Sequence, residues 1–220
     1  MVNYADPRLY RLSMRSITTW GDYGHILQHG LTTHIGRKQG MLQLWRTGPF
    51  APPITGSFDI VVSDPTKIAI ESADIPTFRS IAFRPVLKAR IVQLNWPEWD
   101  LASGRPRHYP FGGEPENYLR EAEHDPALAA AMPEFWELLL STGSREHRQQ
   151  DLSRETGDIP LYKRSWNGND WFIGDTTRYL YATETARNWI EPRYGEWIDF
   201  EDVQYSDREY PVPFEPEELG

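Results

Sequence analysis

The sequence predicts an α+β fold, a mixed or antiparallel sheet with short helices packed on it. Three observations lead there. From Tyr10 to Arg15 apolar and polar residues alternate, the two-residue period of a half-buried strand. At Ser63-Asp64 and Thr183-Glu184 an apolar strand runs into a hydroxyl–acid pair and then a short helix. Eighteen prolines in 220 residues favour turns and short strands over a helical bundle.

The elements follow in order. Tyr10, Leu12 and Met14 share one face of the first strand. A glycine-punctuated region, Gly21 to Gly40, carries His25, His29 and His34. Met41–Trp45 reads as a short strand, and the Pro49, Pro52 and Pro53 segment as a rigid extended loop. Phe58–Val62 is a buried strand. Ser63-Asp64-Pro65 then opens a helix to about Ala73, with a hydroxyl cap, an acid at the positive helix end and proline in the first turn. Strands are expected near Ser80–Val86 and Lys88–Asn95, a loop over 96–114, and helices over Pro115–Glu123 and Pro126–Leu140, the second broken near Pro133. Leu161–Trp166 and Trp171–Gly174 flank Asn167-Gly168, a hairpin signal. Tyr179–Ala182 is a strand, a helix runs from Thr183 to about Ile190, and Trp197–Tyr205 closes with a strand. The length suits one domain over 1–220, with the polar stretch 141–158 as a mobile loop and 207–220 as an acidic tail.

Composition narrows the function. The chain has no cysteine, which removes disulfides and thiolate chemistry and favours a reducing compartment. It has no apolar run of transmembrane length, and its first residues lack a signal-peptide pattern, so a cytoplasmic protein away from membranes is expected. The net charge of −9 is concentrated. From Glu191 to Gly220 ten acids face two arginines, a net −8. Nucleic acid needs the opposite sign over a contact face, so no nucleic-acid partner is expected. An acidic end fits either a solvated tail or a patch for a basic protein.

The strand–hydroxyl–acid–helix segments at Ser63 and Thr183 place Ile70 and Ile190 at equal offsets. They read either as two ordinary helix caps or as two pseudo-repeated units. With Phe83-Arg84-Pro85-Val86 after the first and Phe200-Glu201-Asp202-Val203 after the second, the pattern resembles a family of bacterial immunity proteins that neutralise polymorphic toxins. Asp202 stands where the family pattern has proline. The resemblance implies a binding role and a basic toxin domain as partner.

Candidate sites were weighed on chemistry. His25 and His29 lie at helical spacing, and with His34 could ligate a metal. Asp22 is the only near acid, and the glycines beside them equally suit histidines satisfied in loops. Gly30–Lys38 lacks phosphate-loop spacing, and no Gly-x-Ser-x-Gly elbow exists, so neither a cofactor nor a catalytic residue is assigned. The expected partner-binding residues are the loop aromatics Trp96, Trp99, Tyr109 and Phe111, with the acids Glu201 and Asp202. The alternative is an enzyme whose pocket gathers His25, His29, His34 and Arg46. A third reading is a module that homo-oligomerises through exposed aromatics.

Overall fold

The computed structural model describes residues 6–15, 37–47, 52–56, 59–92, 122–147 and 159–209. Along them run β1 (Leu9–Met14), β2 (Gln43–Thr47), β3 (Ile54–Gly56), β4 (Ile60–Ser63), α1 (Asp64–Glu71), a 3-10 turn (Pro76–Ser80), β5 (Ala82–Pro85) and β6 (Leu87–Val92). Then come α2 (Pro126–Ala131), β7 (Phe135–Leu139), β8 (Thr142–Ser144), β9 (Leu161–Lys163), β10 (Trp171–Gly174), β11 (Leu180–Thr183), α3 (Glu184–Tyr194), β12 (Ile198–Asp202) and β13 (Tyr205–Glu209). Short helices with mixed and antiparallel sheets make this the α+β fold the sequence predicts. Among the described residues no helix is long and apolar enough to cross a membrane.

The chain forms two compact units. The first gathers residues 1–13, 71–82 and 140–220, and the second 14–70 and 83–139. In the first unit a five-stranded sheet has the order β12-β1-β11-β10-β8, and β9 pairs with β13 in a separate parallel ribbon. In the second unit a four-stranded sheet has the order β3-β4-β7-β5, and β2 pairs with β6, again in parallel.

The two units repeat one design. The hairpin β3–β4 pairs Ile54 with Val62, and β10–β11 pairs Trp171 with Ala182. Ser63 N–H donates to Pro53 O at 2.9 Å, and Thr183 N–H to Asp170 O at 2.9 Å. The third strand comes from a distant part of the chain in each case. Ser63 faces Phe135 of β7, and Thr183 faces Leu9 of β1. The fourth strand closes equivalently, with Val86 N–H on Phe135 O at 2.9 Å and Val203 N–H on Leu9 O at 3.0 Å. Phe83-Arg84-Pro85-Val86 and Phe200-Glu201-Asp202-Val203 therefore occupy matching places. Matching register across three strand pairs goes well beyond two ordinary helix caps.

Pleating sends successive residues to opposite faces, so each sheet has a helix side and a ribbon side. In the second unit Val61, Phe135 and Val86 join Leu42, Leu44 and Ile91 in one buried cluster on the ribbon side. In the first, Leu9, Phe172 and Tyr181 join Leu161 of β9, with Val203 and Tyr205 packed against them. On the helix side Ile70 of α1 and Ile190 of α3 are both fully buried.

Several expectations are corrected. The helix expected over Pro126–Leu140 stops at Ala131, and Phe135–Leu139 is a strand instead. Pro133 cannot continue the helix, and the apolar run beyond it is inserted between β4 and β5. Asn167-Gly168 does form a turn, with Gly168 at φ 97, but it joins strands of different sheets. Asn167 spends its amide on Thr142 O at 3.0 Å, and the true hairpin is β10–β11. The stretch expected as a mobile loop over 141–158 begins with β8 and the buried Ser144, Glu146 and His147. The expected tail at 207–220 starts inside β13. The helix expected over Pro115–Glu123 lies almost wholly outside the described residues.

Candidate functional site

The exposed surface of both units is organised by charged side chains laid on the sheet. On the helix side, Lys67 of α1 sits over the rings of Phe83 and Trp136, at 5.3 and 4.9 Å. Arg187 of α3 sits over Phe200 and Tyr10, at 5.5 and 4.4 Å. The four positions correspond, so a helix cation spans two strand aromatics in each unit. Such contacts add about 0.5–1 kcal/mol each at exposed sites. Arg187 also pairs with Glu191 one turn on, at 2.9 Å, which lowers the Glu191 pKa and raises that of Arg187.

On the ribbon side an ion pair recurs with its charges exchanged. Arg11 of β1 donates to Glu201 of β12, with Nη2 at 2.5 Å. At the matching places in the second unit stand Glu137 of β7 and Arg84 of β5, 3.6 Å apart. Glu137 is only 3% exposed and takes a second, closer arginine. Arg37, just before β2, binds it with both Nη atoms at 2.7 Å and also reaches Asp59 at 3.3 Å. Arg37 and Arg84 both donate to Gly40 O, at 3.3 and 3.4 Å. The second unit thus holds a complete Arg–Glu–Arg bridge, closed by its own chain. This is the fork geometry in which guanidinium and carboxylate pair most strongly.

In the first unit the matching pair borders a cleft. A cleft of about 180 Å³ lies beside the Arg11–Glu201 pair. Its walls are Ile159, Pro160, Tyr181 and Val203, and its rim carries Glu201 and Asp202. The two rim side chains are 54% and 55% exposed. Arg8 binds both Asp202 oxygens, at 3.0 and 3.2 Å, and this holds the Asp202 carboxyl below the usual carboxylate range. Among the described residues, the bonds to Glu201 both fall on one oxygen, Oε2.

The lining residue Tyr181 is tied into a polar network. Tyr181 O–H donates to Glu146 at 2.9 Å. The Glu146 carboxylate also accepts from the backbone N–H groups of Thr176 and Thr177 and from the Thr177 hydroxyl. Burial and this carboxylate push the Tyr181 phenol well above its ordinary pKa, so it stays a donor. His147 Nδ1 meets Ser206 Oγ at 2.5 Å, and its ring packs on Tyr162 at 4.5 Å. Both residues of this pair are buried.

Of the residues expected in a binding surface, Glu201 and Asp202 fall on the edge strand β12 at this cleft. Trp96, Trp99, Tyr109 and Phe111 lie outside the described residues, as do His25, His29 and His34. Arg46, expected in an enzymatic pocket, is 1% exposed and packed within the fold. Among the described residues no three His, Cys, Asp or Glu side chains converge as a metal site. Arg11, Arg37 and Glu137 were not singled out from the sequence. The signal available for Arg11 was its place on the polar face of an alternating strand that also bears buried residues. Compared with known protein families, characterised proteins and solved structures, the chain matches none.

Proposed function

We propose that this chain is a protein-binding inhibitor of the immunity type, which neutralises a bacterial toxin in the cytoplasm by contacting a basic domain of that toxin. The observation that carries the reading is the duplicated unit. The short motifs behind the resemblance to immunity proteins, Ser63-Asp64 with Phe83-Arg84-Pro85-Val86 and Thr183-Glu184 with Phe200-Glu201-Asp202-Val203, recur at equivalent positions of two like-built sheets. They are parts of one architectural plan rather than scattered words.

The chemistry of the buried polar groups supports binding over catalysis. The buried carboxylates Glu137 and Glu146 are each held by several donors of the fold itself. Groups so held stabilise the architecture and are poorly placed to exchange protons with a substrate. The acidic edge at Glu201 and Asp202 suits a basic partner, because opposite charge raises the association rate and disfavours wrong partners.

The test is co-expression with toxin genes adjacent to this one. Protection of cells by this chain, together with a stable complex on gel filtration, is the expected outcome. Loss of viability with the chain present at full level would overturn the proposal.

A further inference from the structure

The Asn167-Gly168 turn laces the edge of a sheet and also brings together the atoms of a spontaneous reaction. β8 is three residues long and stands at the end of its sheet, with β10 on one side. On the other side the turn holds it. Asn167 N–H donates to Gly143 O at 3.0 Å, Asn167 Nδ2 to Thr142 O at 3.0 Å, and Asn169 Nδ2 to Ser141 Oγ at 2.8 Å. Ser165 Oγ meets Ser144 Oγ at 2.7 Å and accepts from Arg145 N–H at 3.1 Å. We propose that Asn167 is a site of spontaneous deamidation that acts as a one-way latch on β8. The folded turn holds the amide against reaction, and loss of the amide releases the edge strand.

The reaction needs only water. Gly168 N gives up its proton and attacks Asn167 Cγ, forming a cyclic imide. The Cγ–Nδ2 bond breaks, and Nδ2 takes up a proton and leaves as ammonia. Water then opens the imide at either carbonyl, giving aspartate or isoaspartate. Glycine at 168 puts no side chain in the way of the attack. The other asparagines of the chain precede larger residues, as Asn188 precedes Trp189. Gly168 N–H has no acceptor among the described residues. The restraint lies on the amide side. Asn167 Oδ1 accepts from Asn169 N–H at 3.1 Å while Nδ2 is bound to Thr142 O, and closing the imide breaks the Nδ2 bond. The rate therefore follows the population in which turn and β8 have parted. After reaction the latch cannot close again. Aspartate has no donor for Thr142 O and sets a carboxylate oxygen against it. Isoaspartate lengthens the backbone by a methylene and moves the 167 N–H off Gly143 O.

The full chain is incubated in warm, mildly alkaline buffer, folded or in guanidinium chloride, then digested and weighed by mass spectrometry. The mass gain of one deamidation should appear on the peptide that holds Asn167, at least about tenfold more slowly in the folded chain. The peptide that holds Asn188 should stay unchanged. Gly168→Ala, read in guanidinium because Gly168 sits at φ 97 in the fold, should slow the gain several-fold. The product is mimicked by Asn167→Asp. Its thermal midpoint should fall by about 2–4 °C. Hydrogen exchange should quicken at the amides of residues 167 and 145 and stay as in the parent at Ile190 of α3. Equal rates in the folded and unfolded chain would remove the restraint. Absence of the gain at Asn167 in guanidinium would remove the site. An Asn167→Asp chain with the parent's midpoint and exchange would remove the latch.

Discussion

At the scale of single residues, the charged groups of this protein divide by burial. Glu137 is nearly inaccessible, and Arg37 and Arg84 stand against it. R37A removes the closer partner and leaves a buried carboxylate short of two hydrogen bonds. The full cost of breaking a buried pair is discounted because Arg37 is itself about one-third exposed, which leaves a loss of about 2 kcal/mol. Urea unfolding should show a lower midpoint at unchanged slope. Replacing both members, as in R37L with E137L, should cost less than R37A alone, since the nearly inaccessible Glu137 carboxylate is no longer left short of its closer partner. Asp202 behaves differently because it is exposed. Arg8 lowers its folded pKa, so the pair adds stability above the unfolded-state pKa of about 4. That increment disappears as pH falls through the lower folded value. D202N should therefore melt slightly below the parent at neutral pH, and the two should converge in acid or in high salt. A gap that persists at pH 2 would contradict this account.

At the scale of elements, strand ends and close contacts decide the outcome. Thr183 caps α3 by accepting from Ala186 N–H at 3.3 Å, and its hydroxyl donates to Asp170 Oδ1 at 2.5 Å. T183A should lower stability by about 1–2 kcal/mol, and T183S should restore most of it. Gly143 of β8 lies where an added Cβ would strike the Phe172 ring, part of a core strand. G143A should cost about 1–3 kcal/mol by overpacking, read as a drop in thermal midpoint. These elements were unequally legible in the sequence. The alternation of Tyr10, Leu12 and Met14 and the caps at Ser63 and Thr183 are local signals, and they mark β1, α1 and α3 correctly. Phe135–Leu139 was not legible, because Phe-Trp-Glu-Leu-Leu has no clear period and its polar centre, Glu137, is buried only by virtue of Arg37, far away in sequence. Ser144, Glu146 and His147 looked like loop for the same reason. Their partners Ser165, Thr177 and Ser206 arrive from later segments. The cleft shared the difficulty, since Arg11 and Glu201 meet only when β1 enters beside β12.

At the scale of the whole molecule, the two units are interleaved along the chain. The first unit takes β1 and the 3-10 turn from the N-terminal part and all its other strands from residues 140–220. β1 is central there, lying between β12 and β11, with Leu9 and Tyr10 at 1% and 2% exposure. Phe78 of the turn packs against Trp171 and Trp189, at 5.8 and 5.4 Å. The second unit is divided as well, with β2, β3, β4, β5 and β6 before residue 93 and α2 and β7 after 121. A single break between Gly104 and Arg105 therefore cuts both units at once. Neither piece can complete a sheet, because β1 and β7 are each an interior strand supplied by the opposite piece. Removing an interior strand strips the ladder bonds of both neighbours and exposes the core face, which a domain of ordinary marginal stability does not survive. Residues 1–104 and 105–220 expressed alone should each give the circular dichroism of an unfolded chain. Co-expressed, they should elute as one complex on gel filtration and separate only in denaturant. Independent folding of 105–220 would show that β1 is dispensable, and the equivalence drawn between the two sheets would then fail at its third strand.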